Sequence, residues 1–449
     1  MLSDGKRLIR VVGSSSRAAV LLGLLFGLAG TSTSAVTVAL PRLAEDLAVS
    51  PSTAAWTVSA YTVALAVATP AHGRLADMVG IRGPLVVGVL ALAGGALAAA
   101  LAPTFALLVV ARVVQGAGAA AVPVLATALV SARWSGDVRG AALGRIAGVS
   151  ATLSALGPLI GGGLEALGGW RWAVALPIIA LLAVPALWRA APTGGSGERL
   201  DVLGAGLVAV TASGLVLVLQ SVSAGPVAVA VGAALLAAGA PLLALWVRAR
   251  PHGFLPRAVV TDGTVLRSAF AAAAVPASWF ALLLGVPLAA ASWGWTPWRT
   301  GLLLVPAAAV GFVSPTLARR LLARLGARRS IALACPTAVV ALLTAALGAQ
   351  LASPVLLATA VVLVTIAFGV GQPAMIAAVG PAVPAEQRGI ALGVATLVFL
   401  TGASIGAATV GGLSGVLGVP LALGVLVVLP VAGVATLLGA RPAAVPAPV

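Results

Sequence analysis

Asp137-Val-Arg139-Gly-Ala-Ala-Leu-Gly144 returns 249 residues later as Glu386-Gln-Arg388-Gly-Ile-Ala-Leu-Gly393. The match runs on, pairing Gly157 with Gly406 and Gly162-Gly163-Leu164 with Gly411-Gly412-Leu413. Upstream, Arg74-Leu75, Gly80 and Arg82 recur as Arg320-Leu321, Gly326 and Arg328, at an offset of 246. Two separate matches at nearly one offset describe a chain built from two copies of one unit.

Composition says what kind of unit. Of the 449 residues 61% are apolar and 8% charged; soluble domains run near 45–50% and 25%. Long apolar runs, rather than short alternating ones, also exclude a transmembrane β-barrel. One cysteine, Cys335, and two distant histidines, His72 and His252, leave no disulfide framework and no metal-ligand spacing. The net charge of +16 is spread in small clusters between apolar runs, which does not read as a nucleic-acid surface. The sequence is that of an all-α polytopic membrane protein.

Fourteen apolar segments are long enough to span ~30 Å of hydrocarbon: 18–40, 54–72, 84–102, 105–131, 140–163, 170–188, 202–222, 226–247, 267–291, 300–318, 330–350, 354–380, 389–413 and 419–439. The first follows basic residues as a signal peptide would, but its length and the thirteen spans after it read as an uncleaved helix. With the N-terminus in the cytoplasm, 22 of the 26 basic residues fall on the cytoplasmic side, as the positive-inside rule demands. Only Arg42, Arg171 and Arg299 fall outside, and Arg112 lies within a span. Both termini are therefore expected inside. Removing 202–222 and 226–247, which lie outside the repeat, leaves two six-helix bundles. The expected divisions are residues 1–190, an inserted stretch over 191–248 and residues 249–449. Parallel six-helix repeats are the arrangement of a rocking transporter with its site between the halves.

Several motifs carry a resemblance. Gly73-Arg-Leu-Ala-Asp77-Met-Val-Gly80-Ile-Arg82 joins spans two and three; Arg112-Val-Val-Gln115-Gly116-Ala-Gly118 lies in span four; Gly157-Pro158-Leu-Ile-Gly161-Gly162 lies in span five. Val38-Ala39-Leu40-Pro41 ends span one, and Trp56 and Tyr61 open span two. In this order they resemble the major facilitator superfamily, and with two extra central spans its fourteen-span drug/proton antiporter branch. The resemblance implies two six-helix bundles plus two inserted helices, export of a small molecule, and proton coupling. This chain departs from the branch where an acid and an Asn are common in span one, having Ser32 and Thr37. Met78, Ile81 and Gly83 replace basic residues of the loop signature, and Leu153 replaces a glycine.

The resemblance implies that Gly73, Asp77, Gly80 and Arg82 form a cytoplasmic gating loop, its glycines allowing a tight turn against a neighbour. A plain solvated charge pair is the simpler reading. Arg112 is the one ionisable side chain well inside a span, and a buried charge there marks either a coupling path or a structural cation. Gln115 and Gly116 share its face at i+3 and i+4. Gly157, Pro158, Gly161 and Gly162 read as a bend or as close helix packing. Ser32, Thr37, Tyr61, Trp279, Phe368, Gln372 and Met375 are candidates for the substrate cavity, with ordinary packing as the alternative for each. No Asp or Glu sits near the centre of a span, so an edge acid such as Glu165 or Asp77 would have to carry a proton. The expected partners are a small-molecule substrate, protons and the bilayer of the cell membrane, for a single copy of the chain with no cofactor. An intramembrane enzyme would need activation that Cys335 lacks in its own span. An importer or facilitator, and a membrane receptor or scaffold, are the other readings.

Overall fold

The computed structural model describes residues 2–134, 136–195, 201–219, 221–251, 253–384 and 388–438, and these contain helices and no strand. The first half holds α1 (Leu2–Asp46), α2 (Pro51–Ala54), α3 (Trp56–Val79), α4 (Arg82–Ala100), α5 (Phe105–Ala119), α6 (Ala121–Arg133), α7 (Gly136–Ala155), α8 (Gly157–Gly168), α9 (Trp170–Ala175) and α10 (Val184–Ala190). Two helices follow, α11 (Val202–Leu219) and α12 (Ser221–Ala249). The second half holds α13 (Arg257–Thr261), α14 (Gly263–Ser292), α15 (Pro297–Leu303), α16 (Val305–Gln350), α17 (Pro354–Val379), α18 (Arg388–Val425) and α19 (Val428–Leu438). Helix is what hydrocarbon permits, because each backbone N–H and C=O must find its partner within the segment. Where the chain turns in water, side chains take over. Thr104, Asp262, Thr296 and Ser353 accept backbone N–H bonds at the starts of α5, α14, α15 and α17.

Nine described helical stretches are long and apolar enough to cross a bilayer, and the α7–α8 pair, bent by 41°, brings the number to ten. Fourteen crossings is a larger count. Two of the nine, Val313–Gln350 and Ala391–Leu438, are 38 and 48 residues long, well beyond the ~20 that one crossing needs. Each is broken by a glycine at positive φ, Gly326 at 76° and Gly418 at 78°, between segments that the sequence reads as separate spans. Exposed leucines such as Leu97, Leu101, Leu182 and Leu347 suit a surface against lipid.

The cores differ between the two ends. At the end bearing Trp170, one apolar cluster unites Leu40, Leu43, Val58 and Leu108 of the first half with Leu282, Leu304, Leu342, Leu357 and Leu423 of the second. At the Arg-rich end each half has its own core. Leu22, Leu85, Leu125, Ile146 and Leu187 form one; Val265, Ile331, Met375, Phe399 and Leu437 form the other. The inserted pair joins the second through Val208 and Val247; among the described residues the first half reaches its margin through Ala71, and α7 packs on α16, with Gly148 facing Pro315.

The repeat is visible in the packing. A Cβ at Gly157 would meet Ser34 Oγ of α1 at 1.8 Å, and one at Gly406 would meet the Ala277 carbonyl oxygen of α14 at 1.9 Å. Equivalent glycines thus let equivalent helices touch. The loop arginines agree: Arg82 Nε donates to the Ala191 carbonyl at 2.9 Å, and Arg328 Nη2 donates to the Leu437 carbonyl. Both bonds reach 109 residues ahead, to the end of the last helix of their own half.

The inserted pair is fastened by Asp201. Its carboxylate accepts from the Gly204 and Phe254 N–H groups, each at 2.9 Å, and from the Trp246 indole at 2.9 and 3.1 Å. One side chain therefore ties the start of α11 to the end of α12 and to the chain leading into the second half. Burial pushes this carboxyl up, but the three hydrogen-bond donors and the Arg250 charge outweigh it and hold it below the usual carboxylate value. A depressed folded-state value stabilises above about pH 4, the unfolded value, and that contribution is lost as pH falls through the folded one. Asp201→Asn should lower the melting temperature at neutral pH and remove part of the acid destabilisation, read by thermal melts across pH in detergent.

Candidate functional site

Arg112 lies in α5 with no exposed surface. Its Nε donates to the Thr57 carbonyl at 2.8 Å, and its Nη1 donates to Ser32 Oγ at 3.0 Å and Gln115 Oε1 at 2.7 Å. Gln115 Nε2 in turn donates to Ser32 Oγ at 3.0 Å. The guanidinium carbon sits 4.4 Å from the centre of the Tyr61 ring, a cation–π contact, and the Tyr61 hydroxyl donates to the Ala29 carbonyl at 2.7 Å. Every partner is neutral: among the described residues no carboxylate lies within 4.0 Å of Arg112. Arg112 Nη2 and Thr57 Oγ1 are buried without a hydrogen-bond partner. This is a positive charge held inside the first bundle by dipoles and a π face. Gly116 makes the assembly possible, since a Cβ there would lie 2.2 Å from the Tyr61 carbonyl oxygen.

On the other face of α1, Thr31 Oγ1 donates to the Leu153 carbonyl at 2.8 Å and Ser34 Oγ to the Ser154 carbonyl at 3.0 Å, fixing α1 to α7. Gly157 and Gly161 bring α8 against α1; a Cβ at Gly161 would meet Ala35 O at 2.4 Å. Gly157, Pro158, Gly161 and Gly162 are all buried. Across the halves, Gly301 of α15 lies against Pro158 and Leu159, and Trp298 against Gly163.

Between the bundles is a cavity of about 20 Å³, lined by Ser154 and Pro158 from one side and Trp279, Leu283, Ala307 and Thr365 from the other. That is room for about one water, against ~300–1,000 Å³ for a drug-sized ligand. Trp279 stacks on Phe368 with centroids 4.9 Å apart and meets Phe280 edge-on at 5.6 Å; Phe368 reaches Phe399 at 5.7 Å. Among the described residues this wall of the second half is aromatic and carries no charge.

The remaining candidates disperse. Met375 is buried in the core of the second bundle, Gln372 is half-buried, and Thr37 Oγ1 donates to Ser34 O of its own helix at 2.7 Å. In the loop, Gly80 adopts φ 87° and lies against Thr193, where a Cβ would come within 2.6 Å; the turn requires glycine. Gly195 fits as tightly against Met78, and Arg82 rests 5.6 Å from the Trp188 ring. The loop thus packs on residues 188–195 of its own half. Gly73 and Asp77, expected in the loop, lie instead on the last turns of α3, which runs to Val79, so the turn itself is Gly80 and Ile81. Gly73 borders Val124, and the Asp77 side chain lies outside the described residues. Thr57 and the Thr62–Ser404 hydroxyl contact of 3.4 Å across the halves are not among the sequence candidates. Hydroxyls at i+4 spacing can serve their own helix equally well, so no sequence signal separates these from the rest.

Comparison with known proteins adds a family to this geometry. A family model described as the Major Facilitator Superfamily matches residues 22–407. Multidrug resistance protein Stp of Mycobacterium tuberculosis is 32% identical over 397 residues, covering 84% of this chain and 71% of that protein. Efflux pump dotC of Dothistroma septosporum is 37% identical over 163 residues, 35% of this chain and 28% of that protein. In fold the chain is similar to a POT family transporter crystallised with 5-aminolevulinic acid, with a TM-score of 0.69 and 12% identity over 94% of each chain.

Proposed function

The chain belongs to the Major Facilitator Superfamily, and from that premise we propose that it exports a small, mostly apolar compound across the cell membrane by alternating access, in exchange for protons. The observation that supports this reading most is the unequal coring of the two bundles. A seam shared at the Trp170 end and separate cores at the Arg-rich end suit bodies that pivot about a central pocket. In this reading the chain makes fourteen crossings with both termini and the Arg-rich end in the cytoplasm. Residues 1–190 and 249–449 are the moving halves, and α11 and α12 travel with the second. Export, rather than import, rests on the names of the efflux-type relatives and on the Gly157-Pro158 element. The Gly73–Arg82 loop helps close the cytoplasmic side through the end of α10.

The substrate is neutral or anionic, because the interior holds the Arg112 charge and the described cavity wall offers no carboxylate. Discrimination of about tenfold corresponds to only ~1.4 kcal/mol, a small repulsion in a medium of low dielectric. Everted vesicles from an efflux-deficient host should therefore take up chloramphenicol at least about tenfold better than ethidium. Ethidium uptake equal to that of the neutral drug would sink the charge argument. A drug-susceptibility panel in the same host, with and without the chain, tests export itself.

A further inference from the structure

His72 is a titratable group inside the bundle that nothing above uses. It sits on α3 directly after Ala71, a residue through which the first half touches the core of the second at the Arg-rich end. Its Nε2 lies 2.9 Å from the Ala117 carbonyl oxygen of α5. A carbonyl only accepts, so Nε2 carries the proton and Nδ1 is left as a bare lone pair. Nδ1 is buried and has no hydrogen-bond partner.

Among the described residues no charged side chain pairs with this lone pair. α3 packs on α1, α2, α4, α5, α6, α11 and α18, and no described charged side chain of these helices acts on His72. Arg112 of α5 is turned to Ser32 and Thr57, and Arg82 of α4 to Ala191. Arg42, Glu45 and Asp46 pair with one another at the far end of α1. Arg17 of α1, Arg133 of α6 and Arg388 of α18 are exposed, and the side chains of Asp4, Lys6, Arg7 and Arg10 of α1 lie outside the described residues. α2 and α11 carry no ionisable side chain. On α3 itself Arg74 and Asp77 follow, the latter's side chain outside the described residues.

We infer that His72 Nδ1 is a proton-binding site whose occupancy opens the Arg-rich end of the molecule. A proton taken from water onto Nδ1 creates an imidazolium with a buried N–H that has no acceptor. That state is costly while the bundles are closed, and it is relieved when water reaches the ring. The charged form therefore favours separation at the Ala71 contact, and loss of the proton to the same water favours resealing. A hydrated imidazole titrates near neutrality, so once water reaches the ring this site supplies the alternating charge that a chain without a described central carboxylate needs. The inference rests on the transporter reading above.

The test needs no substrate. Spin labels replace the exposed Arg133 and Arg324, one on each half, in a Cys335→Ser background in lipid nanodiscs, and double electron–electron resonance reads their separation. Between about pH 8 and about pH 5.5 the ratio of long to short distances should rise about tenfold, the most that one imidazole of ordinary pKa in the open form can supply. His72→Gln, which keeps an N–H for Ala117 O and cannot titrate, should hold the short distance at both values; His252→Gln should behave as wild type. In His252→Gln protein, whose one remaining histidine is His72, the ¹⁵N spectrum should show neutral Nε2–H converting to imidazolium over the range in which the distance changes. That measurement decides the matter even where His72→Gln does not fold. A distance ratio that still follows pH in His72→Gln overturns the assignment. Two populations indifferent to pH in the wild type overturn it and leave alternating access standing. One distance under every condition removes alternating access as well.

Discussion

An Arg112→Met variant should keep its fold and lose its transport. Arg112 is fully buried and has neutral partners only, so its charge carries a desolvation cost of several kcal/mol with no ion pair to offset it. Methionine fills a similar volume without that cost, and Gln115 and Ser32 retain their mutual hydrogen bond. Two buried oxygens, Thr57 O and Gln115 Oε1, lose a donor, worth ~1–3 kcal/mol each, which offsets the saving, so the melting temperature should change little. Transport should fall at least about tenfold, the signature of a group retained for function against a stability gradient. Arg112→Lys should do little better, because one ammonium cannot reach Thr57 O, Ser32 and Gln115 from a single position while covering the Tyr61 ring. Thermal melts beside vesicle uptake of chloramphenicol separate the two effects. Lost stability with unimpaired uptake by the folded fraction would make Arg112 a structural cation.

Gly406→Ala should be among the most damaging changes of a single methyl group in the chain. The added carbon would lie 1.9 Å from the Ala277 carbonyl oxygen and 2.9 Å from its Cα, and backbone on a packed helix cannot turn aside. α18 must separate from α14, at the upper end of overpacking costs or about 3 kcal/mol. Gly157→Ala, its partner in the repeat, meets Ser34 Oγ first, at 1.8 Å. That hydroxyl can rotate, at the loss of its bond to Ser154 O, but Ser34 Cβ stays 2.9 Å away, so the cost there should be smaller but still about 2 kcal/mol. Size-exclusion profiles and melting curves of the two variants in detergent give the comparison. Equal loss in both would mean that side-chain rotation offers no relief at Gly157.

Much of this was legible in the linear chain, because hydrocarbon leaves so few choices. The doubled motif and the apolar runs lead to paired helical bundles, and the turn at Gly80 is written in the glycine itself. Arg112, Gln115 and Gly116 meet as their i, i+3, i+4 spacing says. What they meet is another matter. Ser32 looked like a departure in a span-one pattern, and its hydroxyl turns out to bond both Arg112 and Gln115. Met375 shares a helical face with Phe368, yet one fills a core and the other stacks on Trp279 near the cavity. A face some 100° wide looks onto more than one neighbour, and periodicity cannot say which. Asp201 gave no sign of its four hydrogen bonds, because its partners Trp246 and Phe254 are 45 and 53 residues away.

The two arginine bonds that reach 109 residues ahead bear on how such a chain arose. A contact found at one spacing in both halves is what the copying of one unit predicts. Such a unit would already close on itself, as the Arg82 turn holds the end of α10 and the Arg328 turn the end of α19. Two finished pieces could then be joined end to end, and a pair of helices set into the seam, without robbing either piece of a contact it depended on.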